Sequence, residues 1–164
     1  MSAQHEQIKA AMYAWQQEIM AGNLAFEHGR FQTANQRYES SLAWLLQAQT
    51  EIFGDNNPPV AWIADQYIPA LVVSYLNIVD CTIAQHDAES ACESLIEAHL
   101  QLHGCAFALA AKQTQPENYC LCEHISQLKQ QTYSFAKRYA HRPELIAKLN
   151  HAMQVEPLAD QLIH

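Results

Sequence analysis

A chain of 164 residues with 17 acidic and 9 basic side chains carries a formal charge of −8 when its nine histidines are neutral. Its length suits a single domain, able to bury roughly 70% of its unfolded surface without a metal or disulfide staple. A hydrophobic fraction of 49% with only 4 glycines argues against disorder and against a strand-and-turn architecture, and it favours packed helices.

The charge is unevenly placed. Between Tyr38 and Ala111 there is no Lys or Arg, while Glu39, Glu51, Asp55, Asp65, Asp80, Asp87, Glu89, Glu93 and Glu97 all fall in that stretch. Such a section repels a phosphate backbone, so nucleic acid is excluded as a partner. It suits either a solvated acidic face or a cationic partner surface. The N-terminal run MSAQHEQIKAAMYAW lacks an apolar core of signal-peptide length, and no run reaches about 18 apolar residues. The expectation is a cytoplasmic protein with no membrane partner. Its cysteines, Cys81, Cys92, Cys105, Cys120 and Cys122, are odd in number and are expected as reduced, mostly buried thiols.

Apolar spacing and breakers predict six helices. The first spans about His5 to His28, with Ile8, Met12, Trp15, Ile19 and Leu24 at helical intervals, and Gly29 ends it. The second spans Phe31 to about Phe53, with Ala34, Tyr38, Ser41, Leu42, Leu45 and Leu46 on one stripe, and stops at Gly54-Asp55-Asn56-Asn57-Pro58-Pro59. A third stretch reaches about Gln85, with a kink or break expected at Pro69, and its apolar part LVVSYLNIVDCTIA is expected to be the central buried helix.

Asp87 offers an N-cap to a fourth helix ending near Lys112, which carries Cys92, Leu95, Ile96, Leu100, Leu102, Ala106 and Phe107. Thr114-Gln115-Pro116-Glu117 matches a capping box and should open a fifth helix, with Leu121, Ile125, Leu128, Phe135 and Tyr139 on its apolar side. A sixth runs from Glu144 to about Val155. The result is an all-α chain of three antiparallel hairpins, over residues 5–53, 59–112 and 117–155, in one domain spanning 1–164.

The stretch Gly22-Asn23-Leu24-Ala25-Phe26-Glu27-His28-Gly29-Arg30-Phe31-Gln32-Thr33-Ala34, continued by Tyr38, Ser41 and Leu42, resembles a tetratricopeptide repeat. Gly22 and Ala34 would let two helices approach, Gly29 would turn the chain, and Phe31 and Tyr38 would fill the space between. A weaker second copy follows when Ala91 is aligned with Ala34: Asp87 falls at the turn, Leu95 at the Tyr38 position and Ala98 at the Ser41 position, but Val79 stands where a small residue is expected. The two copies lie 57 residues apart, where the tetratricopeptide family repeats about every 34. With its YIPALVVSYLNI segment and closing AKRYAHRPELIAKL stretch, the whole chain is similar to a small bacterial family of uncharacterised tetratricopeptide-like proteins.

That resemblance implies a right-handed helical array with a concave, partner-binding face lined by Gln16, Ile19, Asn23, Phe26 and Glu27 from one hairpin and Val73, Leu76, Asp80 and Ile83 from the next. Asn23 matches an asparagine that grips a ligand backbone. Ile19 occupies a lysine position, so capture of a terminal carboxylate is not expected, and an amphipathic helix or extended basic segment is the better ligand. A short array also leaves end faces uncovered, which a homodimer would cap.

No phosphate loop, nucleophile elbow or zinc-protease motif is present, and the chain is read as non-enzymatic with no cofactor. One metal reading competes. His99 and His103 share a helix face, as do Cys120 and His124, and a fold-back about Thr114 would let His103 and His124 meet in a His3Cys set acceptable to zinc. Against it, His99 lies between Leu95 and Leu102 on the apolar stripe, where a histidine is more often a hydrogen-bonded core residue. Cys120, near a predicted helix start, also admits a thiol-based redox or sensing role.

Overall fold

The computed structural model describes residues 3–54, 58–112 and 121–154, and these are helical with no strand among them. The first hairpin comprises α1, Ala3–Glu27, and α2, Phe31–Gln47, with one further turn, α3, Gln49–Ile52. A short turn, α4, Val60–Trp62, leads through a π-helical turn, Ile63–Tyr67, into α5, Ile68–Ala84, followed by α6, Ala88–Lys112. Helices α7, Leu121–Arg138, and α8, Pro143–Gln154, close the described chain. The expected capping box at Thr114–Glu117 lies outside the described residues.

The α1–α2 and α5–α6 turns have the same hydrogen-bond signature, and glycine chemistry explains one of them. At the end of α1 the Gly29 N–H donates to Phe26 O and the Arg30 N–H to Ala25 O, both at 2.9 Å, with Gly29 at φ 70°. This paired closure satisfies carbonyls that a helix end otherwise leaves unbonded, and it needs a left-handed residue. At the end of α5 the His86 N–H donates to Ile83 O and the Asp87 N–H to Thr82 O, with His86 at φ 61°. His86 therefore stands where Gly29 stands, 57 residues on, in a conformation that costs an L-residue roughly 1–2 kcal/mol. Asp87 then caps α6 as expected: Oδ1 accepts the Ser90 N–H at 3.0 Å and Oδ2 the Ser90 hydroxyl at 2.7 Å. These bonds hold its carboxyl below the usual carboxylate range.

Close packing in the first hairpin depends on Gly22. A Cβ there would stand 2.5 Å from Tyr38 Cε1 and 2.7 Å from Cδ1, so the tyrosine ring occupies the space that the missing side chain leaves. Tyr38 is buried, and its hydroxyl donates to Asn23 Oδ1 at 2.7 Å, which fixes the ring at both ends. In the second hairpin the equivalent pair is Val79 and Leu95, both buried, so a medium pair replaces the small and large pair.

Helix α5 is central, packed against α2 on one side and α6 on the other. Its polar groups are tied down on both flanks: Tyr67, in the π-turn, donates to Leu45 O at 3.0 Å and Tyr75 to Glu97 Oε1 at 3.1 Å. The Trp15 indole N–H donates to Ser74 Oγ at 2.8 Å, joining α1 to α5. The π-turn sits immediately before Pro69, whose ring would crowd the carbonyl four residues back in a regular helix; one wide turn relieves that crowding. The stretch Val60–Ala84 has the length and apolarity of a membrane span, which the count of apolar runs did not anticipate. Its packing is that of a core helix, with 61% of its most apolar window buried.

The apolar stripe expected on the fourth helix was drawn too wide: Leu100 and Phe107 point outward and are 57% and 62% exposed. Gly104 lies on the same exposed side with nothing within 4 Å of a Cβ.

Two glycine substitutions should therefore act in opposite directions. Gly22→Ala should destabilise the fold by roughly 1–3 kcal/mol through overpacking, whereas Gly104→Ala should stabilise it by about 1 kcal/mol through helix propensity. Urea unfolding of the two variants checks this, and a Gly22→Ala chain as stable as the parent would remove the ring-on-glycine contact from the account.

Candidate functional site

The site forms where the C-terminal ends of α1 and α5 lie above α2. Asn23, Phe26 and Glu27 come from α1, Tyr38 from α2, and Asn77 and Asp80 from α5; together they line a pocket of about 170 Å³. Helical spacing explains the set, since positions 23, 26 and 27 share one face of α1 and positions 77 and 80 share one face of α5. Tyr38 is held by its bond to Asn23, which leaves the Asn23 side-chain N–H groups to the pocket. Phe26 is braced edge-on by Phe31, ring centroids 5.1 Å apart.

The pocket's electrostatics are one-sided. Glu27 and Asp80 are its ionisable lining groups besides Tyr38, and neither makes an ion pair among the described residues. Burial, then the potentials of Cys81, Asp80 and Glu27, pushes the Tyr38 hydroxyl up to about 12, so it remains a neutral donor. Partial loss of water raises Asp80 above the ordinary carboxylate value. Neither α1 nor α5 has a basic residue in its last turn, whereas α7 ends with Lys137 and Arg138. The last turns of α1 and α5 thus carry no basic residue to complement the helix dipole, and beyond α1 the His28 ring bonds Leu24 O at 2.7 Å.

The nine residues expected on a concave face divide into two groups. Asn23, Phe26, Glu27 and Asp80 meet in the pocket. Gln16 and Val73 are exposed, Leu76 and Ile83 are half-buried against the core, and Ile19 is buried, so it serves packing more than contact. Tyr38 and Asn77 were not singled out as lining. Tyr38 was assigned to helix packing, which hid its hydroxyl, and Asn77 could have been found from its place one turn before Asp80.

The histidine and cysteine set is placed differently. His99 and His103 stack with ring centroids 6.3 Å apart, and His99 is buried as a core residue. The Thr132 hydroxyl lies 2.8 Å from both Leu128 O and His99 Nε2, so this ring nitrogen is already engaged. Among the described residues no three His, Cys, Asp or Glu side chains gather as a metal set, so His124 does not complete one with His99 and His103. Cys120 lies outside the described residues. Cys81, Cys92 and Cys105 are buried free thiols, and burial raises all three, Cys81 to about 11 and Cys105 to about 12.

Fold and site together define an all-α protein built from helical hairpins with an acidic pocket on one face. A family model described as "Protein of unknown function (DUF2753)" matches residues 13–163, and the chain belongs to that family. No curated protein matches it, and no solved structure does.

Raised thiols in a tight core should alkylate slowly, because the thiolate is the reacting species. Mass-spectrometric mapping after iodoacetamide treatment at mildly alkaline pH should find Cys81, Cys92 and Cys105 largely unmodified in the native chain and fully modified in urea. Rapid native labelling at any of the three would show an accessible thiol that this packing does not contain.

Proposed function

We propose that this protein is a non-enzymatic binding module, an adaptor or chaperone-like protein, which holds a segment of a partner polypeptide along the groove between α1 and α5. The observation that carries the reading is the convergence of Asn23, Phe26, Glu27 and Asp80, from two helices, on one pocket. Its lining suits recognition: amides that read a backbone, one aromatic wall and two carboxylates without internal partners. The shared turn signature of Gly29 and His86 supports reading the first two hairpins as an irregular tetratricopeptide-like array in a single domain over 1–164, with α7 and α8 packed on α6 more than on each other in place of a third close hairpin.

The acidic middle section favours a basic protein or peptide over nucleic acid, and a cytoplasmic setting without membrane or cofactor fits the same reading. Tyr13, Met20 and Leu24 remain exposed along α1, which supports self-association through that end face.

Affinity capture from host extract with the parent chain and with Asn23→Ala/Phe26→Ala tests the groove, with thermal melting to establish that the variant is folded. The expected result is a polypeptide retained by the parent and lost from the folded variant. Equal retention by both would place the binding surface elsewhere.

A further inference from the structure

We infer that the α1/α5 pocket is an arginine-binding site, which seats the guanidinium of a basic partner segment between Glu27 and Asp80 and against the Phe26 ring. This deepens the groove reading above and rests on it. The argument is charge complementarity in an open surface pocket. Two carboxylates from different helices line about 170 Å³ of space, and the chain supplies no cation to them. Residues 38–111 contain no Lys or Arg. Of the arginines in the first hairpin, Arg37 pairs with Glu18 at 3.2 Å, and Arg30, beyond the turn, is exposed and forms no ion pair among the described residues.

Helix polarity gives an independent reason. Glu27 is the last residue of α1 and Asp80 lies in the last turns of α5, so both helices direct their negative ends to the same side, each without a basic residue in its final turn. Cations stabilise such ends; beyond α1 the His28 ring bonds Leu24 O at 2.7 Å, and a partner's guanidinium would bring positive charge to the side where Glu27 and Asp80 stand. Arginine fits better than lysine for geometric reasons. Its planar fork can donate to two carboxylates and an amide oxygen together, and its face stacks on an aromatic ring, whereas an ammonium is a strongly hydrated point charge. Asn77 makes no hydrogen bond elsewhere among the described residues, and its side-chain oxygen is an acceptor of that kind.

The test is an NMR titration of the full-length ¹⁵N-labelled chain with N-acetyl-arginine amide and, separately, with its neutral isostere N-acetyl-citrulline amide. The expected result is a set of saturable shifts centred on Asn23, Phe26, Glu27, Asn77 and Asp80 with the arginine compound and none with citrulline. Glu27→Gln/Asp80→Asn, isosteric changes at exposed positions, should weaken binding about tenfold or more, since charge-assisted hydrogen bonds become neutral ones. Equal shifts with citrulline, shifts centred outside the pocket, or an unchanged affinity in the double variant would each overturn the proposal. Failure here is separable from failure of the groove reading: no arginine binding beside Asn23- and Phe26-dependent capture removes the guanidinium site alone. Arginine binding beside capture indifferent to those residues keeps the site and removes the groove.

Discussion

The Tyr38 ring lying on the bare backbone of Gly22 is the contact on which both the first hairpin and the pocket depend. With no side chain at 22, α2 can lie close enough to α1 for Tyr38 to be buried while its hydroxyl still reaches Asn23. That bond turns one asparagine into a fixed wall and sets the floor beneath Phe26, Glu27 and Asp80. A single steric allowance therefore connects chain packing with the shape of the candidate site. The second hairpin solves the same problem with Val79 and Leu95, and without a tyrosine hydroxyl it has no equivalent anchor.

Helix α5 gains its position from polar links as well as from apolar area. Trp15 reaches Ser74, Tyr67 reaches Leu45 O and Tyr75 reaches Glu97, so the central helix and the π-turn before it are bonded to three neighbouring helices at buried or part-buried sites. Loss of one partner there would leave a buried donor or acceptor unsatisfied, typically at 1–3 kcal/mol. The acidic middle of the chain is tolerated because most of its carboxylates face solvent, while Asp87 caps a helix and Glu97 takes a tyrosine hydroxyl. Glu27 and Asp80, like Asp65 and Glu93, make no hydrogen bond or ion pair among the described residues, but only Glu27 and Asp80 line the pocket.

Much of the fold was legible in the residues because punctuation and period agreed. Gly29, Asp87 and the 3.6-residue apolar recurrence located the turns that end α1 and α5 to within a few residues. The π-turn before Pro69 was not legible as such, since a proline announces disruption without specifying how neighbouring turns absorb it. Leu100 and Phe107 misled because an apolar residue on a helix records what the sequence permits, not which side meets a neighbour. His86 shows the converse: nothing in a histidine announces a left-handed turn, and only its offset from Gly29 hints at one. At the site, resemblance located Asn23, Phe26, Glu27 and Asp80 but not Tyr38 and Asn77, whose roles depend on how α2 and α5 are rotated.

The most direct measurement is a double-mutant cycle on unfolding free energy with Gly22→Ala, Tyr38→Leu and both together. If the ring occupies the space above Gly22, removing it relieves the clash, and the double variant should be more stable than the summed single effects by at least about 1 kcal/mol. Additivity within about 0.5 kcal/mol would contradict the contact, and with it the packing that shapes the pocket.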